Sequence, residues 1–170
     1  MSVSAAAGLA APPGPVLRVG RRVHIGPCAR MLQSWLDATP WMPDLHALPE
    51  TERFLAERVF RENTVRVAML AGEPAGFVAV ARDGFVPVLH VAAWARGLGI
   101  GGALLGWAKE VRPRRLSLWC FVANLGARRF YAREGFEEAR RTDGDNDERL
   151  PDILFVWEPS MHDLAEGAAR

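Results

Sequence analysis

Between Val91 and Ala103 the chain reads VAAWARGLGIGGA, and no other stretch restricts the fold so tightly. An apolar run ends at Trp94–Ala95, Arg96 follows, and Gly97, Gly99, Gly101 and Gly102 lead into a helical pattern. That order predicts a strand, a glycine-rich turn and a helix N-terminus in direct succession. Glycines let a backbone approach a ligand closely, and the first turn of a helix offers unpaired N–H groups with partial positive charge. Together they predict a site for phosphate groups.

The flanking chain predicts what presents this turn. Val16–Ile25, VLRVGRRVHI, reads as an edge strand interrupted by Gly20. Helical spacing follows from Ala29, and TPWMPD ends that helix at Pro40 and Pro43. A second amphipathic helix is expected over Glu50–Asn63, with Phe54, Leu55, Val59 and Phe60 on its apolar face. From Thr64 the period becomes that of strands. VRVAML, AGFVAVA and FVPVLHVA, joined by short turns, predict an antiparallel meander. After the glycine stretch, Ile100, Leu104, Leu105, Ala108 and Val111 mark a helix closed by Pro113. LSLWCFV at 116–122 is apolar throughout, which predicts a central strand covered on both faces and parallel to the one ending at Val91. Asn124 then caps a helix closed by Gly135, and two further strands are separated by the polar loop RTDGDNDERLP.

Composition removes several classes of function. A net charge of +1 gives no electrostatic case for nucleic acid or a membrane surface. No apolar run approaches the roughly 20 residues of a membrane helix, and MSVSAAAGLAAPPGP lacks the early basic group of a signal peptide. Cys28 and Cys120 are far apart without metal-ligand spacing, so free buried thiols in a cytoplasmic protein are expected and no metal. The expected division is a loose tail over 1–15, one domain over 16–159 and a second tail over 160–170.

GLGIGG also satisfies the dinucleotide pattern G-x-G-x-x-G. That fold requires an acidic residue about 20 positions on, yet no Asp or Glu lies between Glu110 and Glu134. A nucleoside triphosphate loop ends in Gly-Lys-Ser/Thr, and Gly102–Ala103 does not.

Arg96-Gly97-Leu98-Gly99-Ile100-Gly101 instead resembles the acyl-CoA signature Q/R-x-x-G-x-G/A of the GNAT superfamily of N-acetyltransferases. Asn124, Ala127, Phe130, Tyr131, Gly135 and Phe136 are similarly spaced to its second hallmark, N-x-x-A-x-x-F-Y-x-x-x-G-F. The resemblance spans Thr64 to Glu158, with the two preceding helices. It implies an α/β (α+β) fold with a mixed, mostly antiparallel central sheet and helices on both faces. The sheet would splay between the strands ending at Val91 and starting at Leu116. It implies acetyl-CoA as co-substrate, its pyrophosphate on the N–H groups of Gly97, Leu98, Gly99, Ile100, Gly101 and Gly102 behind Arg96. Its pantetheine arm would pair with the strand ending at Val91 and meet Asn124.

The activity so implied is direct transfer of an acetyl group to a primary amine. The acceptor would be a small molecule or a peptide, and a homodimer is compatible. Two readings of other classes stand beside it, a non-catalytic acyl-CoA-binding module and a dinucleotide-binding oxidoreductase. In the family, the residue at Tyr131 is the general acid. A phenol with an ordinary pKa near ~10 is matched to a departing thiolate. The alternative is a core aromatic beside Phe130. His90 is either a proton relay for the amine or a core histidine. Asp143, Asp145, Asp147, Glu148 and Asp152 either attract a cationic amine or form a solvated hairpin, and their spacing lacks the Gly and Glu of a calcium loop. Trp35 and Trp41 are candidates for an acceptor pocket. HIGPCARML departs from the family pattern in lacking an acid before the first helix, and Ala93 replaces a common proline.

Overall fold

A computed structural model describes residues 14–160. The expected tails lie outside the described residues except for 14, 15 and 160. Among the described residues the chain runs β1 (Val16–Val19), α1 (Ile25–Asp37), α2 (Leu48–Phe54), β2 (Thr64–Leu70), β3 (Glu73–Val80), β4 (Val88–Val91), α3 (Ile100–Val111), β5 (Leu116–Phe121), α4 (Leu125–Arg133), β6 (Glu137–Thr142) and β7 (Asp152–Trp157). The first strand forms despite its atypical sequence and pairs antiparallel with β2, Val16 opposite Met69 and Val19 opposite Arg66. No helix among the described residues is long and apolar enough to cross a membrane.

The strands divide into a four-stranded sheet, β1-β2-β3-β4, and a three-stranded sheet, β5-β7-β6, each antiparallel. β3 is central in the first, and from Ala75 to Val80 every residue is buried. One face of β2 and β3 packs Val65, Val67, Phe77 and Ala79 against Cys28 and Ala29 of α1 and Leu55 and Val59 beyond α2. The other packs Ala68, Ala75, Val78 and Val80 under Ile100, Leu104 and Leu105 of α3. Gly76 makes this second contact close. A Cβ there would lie 2.9 Å from the His90 carbonyl and 3.1 Å from Ile100. Both cysteines are buried and unbonded, one in each of these clusters.

Between β4 and β5 the splay is so wide that strand pairing reduces to one parallel bridge, Phe85 to Ser117. Val86 N–H donates to Ser117 O at 2.8 Å and Ser117 N–H to Gly84 O at 3.1 Å. Gly84 permits this junction. Its φ is +89°, and a Cβ would overlap the Arg115 carbonyl at 2.3 Å. Beyond it Pro87 has no N–H to continue a ladder, and Val88–Val91 pair with β3 alone. The second edge of β4 therefore stays open.

Four expectations change. The third meander strand is confined to Val88–Val91, for the reason just given. β5 is not a central strand covered on both faces. It forms the edge of the smaller sheet, with Leu118 buried and Trp119 37% exposed. Helix α1 starts at Ile25, because Pro27 falls in its first turn, where a missing N–H costs nothing. The single helix expected over Glu50–Asn63 is instead α2 followed by a π-helical turn, Leu55–Phe60, and Phe54 is turned outward at 49% exposure.

Candidate active site

The gap between the sheets is a continuous cleft of about 650 Å³. It runs from the glycine turn, along the open edges of β4 and β5, to Leu32 and Trp35 of α1. Its chemistry begins with the turn. After β4 a short 3-10 segment, Ala93–Ala95, reverses the chain, and Gly97 and Gly99 take φ of +78° and +77°. Only glycine adopts this left-handed region without strain. The first hydrogen bond of α3 is from Ala103 N–H to Gly99 O at 3.0 Å. The N–H groups just ahead of Ala103 are thus left for a ligand, with the positive end of the helix dipole behind them. Arg96, Gly97, Gly99, Ile100, Gly101 and Gly102 all line the cleft, whereas Leu98 does not and its side chain is 56% exposed.

Gly101 serves a second purpose that its spacing does not reveal. A Cβ there would sit 3.2 Å from the Phe130 ring, so the missing side chain lets α4 approach the first turn of α3. Lys109 of α3 fixes the same pair of helices from the far end, Nζ donating to the Glu134 carbonyl at 2.6 Å. Asn124 is the N-cap of α4, its Oδ1 accepting from Ala127 N–H at 3.1 Å, and it lines the cleft together with Val91.

Tyr131, the single tyrosine of the chain, reaches the cleft from α4. Its ring is held by Phe130, Phe136 and Phe155 at centroid distances of 5.3, 5.7 and 5.8 Å. Burial, with a smaller contribution from the neighbouring Cys120 thiol, pushes its pKa above the usual phenol range, so the hydroxyl stays protonated at neutral pH. The same burial raises Cys120 to about 11, which makes it a thiol rather than a nucleophilic thiolate. Cys28, away from the cleft, is pushed up to about 12.

His90 lines the cleft from β4 and is buried between Trp35 and Phe77, at centroid distances of 6.0 and 6.4 Å. Desolvation, then the positive charge of Arg96, lowers its pKa from 6.5 to about 4, against a hydrogen bond to the backbone at Met31. The imidazole is therefore neutral at pH 7.

Trp35 lines the end of the cleft, and Trp41 packs edge-on between it and Phe121, at 5.9 and 5.8 Å. Of the acidic residues of the polar loop none lines the cleft. Asp152 is engaged within the hairpin, accepting from the Thr142 hydroxyl and from Asn146 Nδ2 at 2.9 Å. Sequence reasoning passed over Leu32, Trp119 and Phe121. The alternation of Trp119 and Phe121 with Leu118 and Cys120 was the available signal, readable only once β5 is known to be an edge.

A family model described as an acetyltransferase (GNAT) domain matches residues 61–138. No curated protein matched the chain. Among solved structures, apo YjaB from Escherichia coli is 21% identical, with 86% of this chain and 99% of that chain covered at a TM-score of 0.70. A ribosomal-protein-alanine N-acetyltransferase from Brucella melitensis is 20% identical, covering 85% and 99% at 0.67. A NatC complex bound to Gag peptide and CoA is 16% identical, covering 87% and 100% at 0.60. At these identities the likeness is one of fold. The parallel sheet that a dinucleotide site would need does not occur among the described strands.

Proposed function

We propose that this chain is a member of the GNAT acetyltransferase family, whose domain model matches residues 61–138, and that it moves the acetyl group of acetyl-CoA directly to a primary amine. The observation that carries the reading is the cleft itself, with unpaired helix N–H groups at one end, an open strand edge along its side and a protonated phenol reaching into it.

The residues fit the donor on their own chemistry. The N–H groups of Gly97 to Gly102 and the guanidinium of Arg96 suit a pyrophosphate. The open edge of β4 around Val91 suits an amide-bearing arm added as a further strand. Asn124 Oδ1 is engaged in capping, so its amide nitrogen is the group left to bond the arm. Acetyl-CoA supplies an activated thioester. A backbone N–H near Val91 stabilises the oxyanion that forms when the amine attacks its carbonyl. Tyr131 donates its proton to the departing sulfur. A raised phenol pKa does not defeat this step, because burial raises a thiol in the same place, as Cys120 illustrates. His90, neutral and weakly basic, takes its proton only after attack, when the nitrogen has become acidic. Direct transfer is supported by Cys120, whose raised pKa leaves no thiolate to carry the acetyl group.

Thiol release from acetyl-CoA, followed with a panel of primary amines, tests the reading. Amine-dependent release that survives Cys120→Ala is expected. Tight acetyl-CoA binding with no release on any amine would leave a binding module instead. Release that vanishes with Cys120→Ala would replace direct transfer by a covalent route.

A further inference from the structure

The end of the cleft opposite the glycine turn is lined by three rings, Trp35, His90 and Phe121, and a fourth, Trp41, packs on two of them without itself lining the cleft. His90 of β4 meets Trp35 of α1, Trp35 meets Trp41 of the following loop, and Trp41 meets Phe121 of β5. These contacts run from one sheet to the other as an arch of side chains at this end of the cleft. Trp41 is firmly placed. Thr39, itself buried, donates its hydroxyl to the Trp35 carbonyl at 2.6 Å, Met42 N–H donates to Thr39 O at 3.0 Å, and Pro40 and Pro43 stiffen the turn.

Charge at this end is as telling as shape. Among the described residues the one carboxylate lining the cleft is that of Glu134, the C-cap of α4, beside Gly102 at the opposite end. Asp152 lies opposite Phe121 in the sheet, but Thr142 and Asn146 occupy its oxygens. Arg96, which also lines the cleft, adds positive potential, second to desolvation in keeping His90 neutral. A second positive charge on an acceptor would therefore be desolvated here without a counter-ion, which is costly. Apolar or aromatic surface would find ring faces and edges.

Resting on the transferase reading, we propose that the acceptor is a small primary amine carried on an aromatic body, seated against Trp35 and Phe121, with Trp41 as the positioning residue that holds those two rings. Polyamines and other polycations are excluded by the same wall.

Steady-state acetylation of 2-phenylethylamine, tryptamine, spermidine, L-lysine and a peptide with N-terminal Phe, at saturating acetyl-CoA, tests this. The kcat/KM for 2-phenylethylamine should exceed that for spermidine by roughly 100-fold, the scale set by one unpaired buried charge. Trp41→Ala should raise KM for 2-phenylethylamine about tenfold, Trp41→Phe should recover most of it, and neither should alter the Kd for acetyl-CoA. Spermidine, lysine or the peptide used as well as the aryl amine overturns the inference and leaves the transferase reading standing. So does an unchanged KM in Trp41→Ala. No acetylation of any amine despite acetyl-CoA binding overturns both.

Discussion

The two ends of the cleft are made in different ways. At the proposed donor end the groups on offer are backbone N–H groups, delivered by a turn of a few consecutive residues, Arg96 to Gly102, with helix α4 close behind. At the proposed acceptor end they are side chains from α1, the loop after it, β4 and β5, brought together only by the tertiary fold. Backbone groups at a glycine turn recognise a phosphate in any protein that builds the turn, so the donor end specifies a ligand class by itself. An arch of side chains changes with each substitution, so that end is free to specify an acceptor without disturbing the donor. Variants at the two ends should therefore act on different constants.

The largest expected effect is at the reacting centre between them. Tyr131→Phe removes a hydroxyl that makes no hydrogen bond to another described residue, while its ring contacts remain. We expect kcat to fall by about 100- to 1,000-fold, as for loss of a general acid, with a melting temperature within ~2 °C of wild type. A large fall in melting temperature would make Tyr131 a core aromatic and nothing more.

Next is Gly101→Val. A side chain there meets the Phe130 ring at 3.2 Å and intrudes on the N–H groups of the turn. The Kd for acetyl-CoA should weaken by roughly 30- to 100-fold, about 2–3 kcal/mol, with the relative preference among amines preserved. If that preference changes as much as the Kd, the two ends are not separate.

His90 joins the ends, and its protonation reports on the fold. Its pKa is about 4 when folded against an ordinary 6.5, so between those values the unfolded chain binds the proton more readily. Stability therefore rises with pH through that window and is flat above it. From pH ~7.5 down to pH ~5 the loss attributable to His90 is on the order of 2 kcal/mol. Denaturant unfolding of wild type and His90→Gln at both pH values should show that difference in slope. Equal slopes would mean that the imidazole is not desolvated.

The smallest effect expected is from Asn124→Ala. It removes the cap at Ala127 N–H and should cost about 1 kcal/mol of stability, together with a modest rise in acetyl-CoA Kd. A loss of stability with no change in Kd would assign Asn124 to capping alone.

The same separation explains what could be read from sequence. The turn, the Asn124 cap, the Tyr131 position and the left-handed Gly135 all depend on spacings within one or two elements, and each has its expected place in the fold. β2 and β3 were legible because alternation and β-branching act locally. The arch was not, because nothing between Trp35 and Phe121 tells a reader that two sheets part at Gly84 and Pro87. An apolar β5 looks fully covered until its edge is found to face a cleft. The outward turn of Phe54 was hidden for a related reason: a π-helical turn shifts the register that a constant helical period assumes.

Amide hydrogen exchange with and without CoA tests the central claim most directly, because it reads the backbone groups themselves. Added protection is expected at Gly97 to Ala103 and around Val91, with little change from Trp35 to Pro43. Protection absent from the glycine turn, or confined to the aromatic arch, would contradict it.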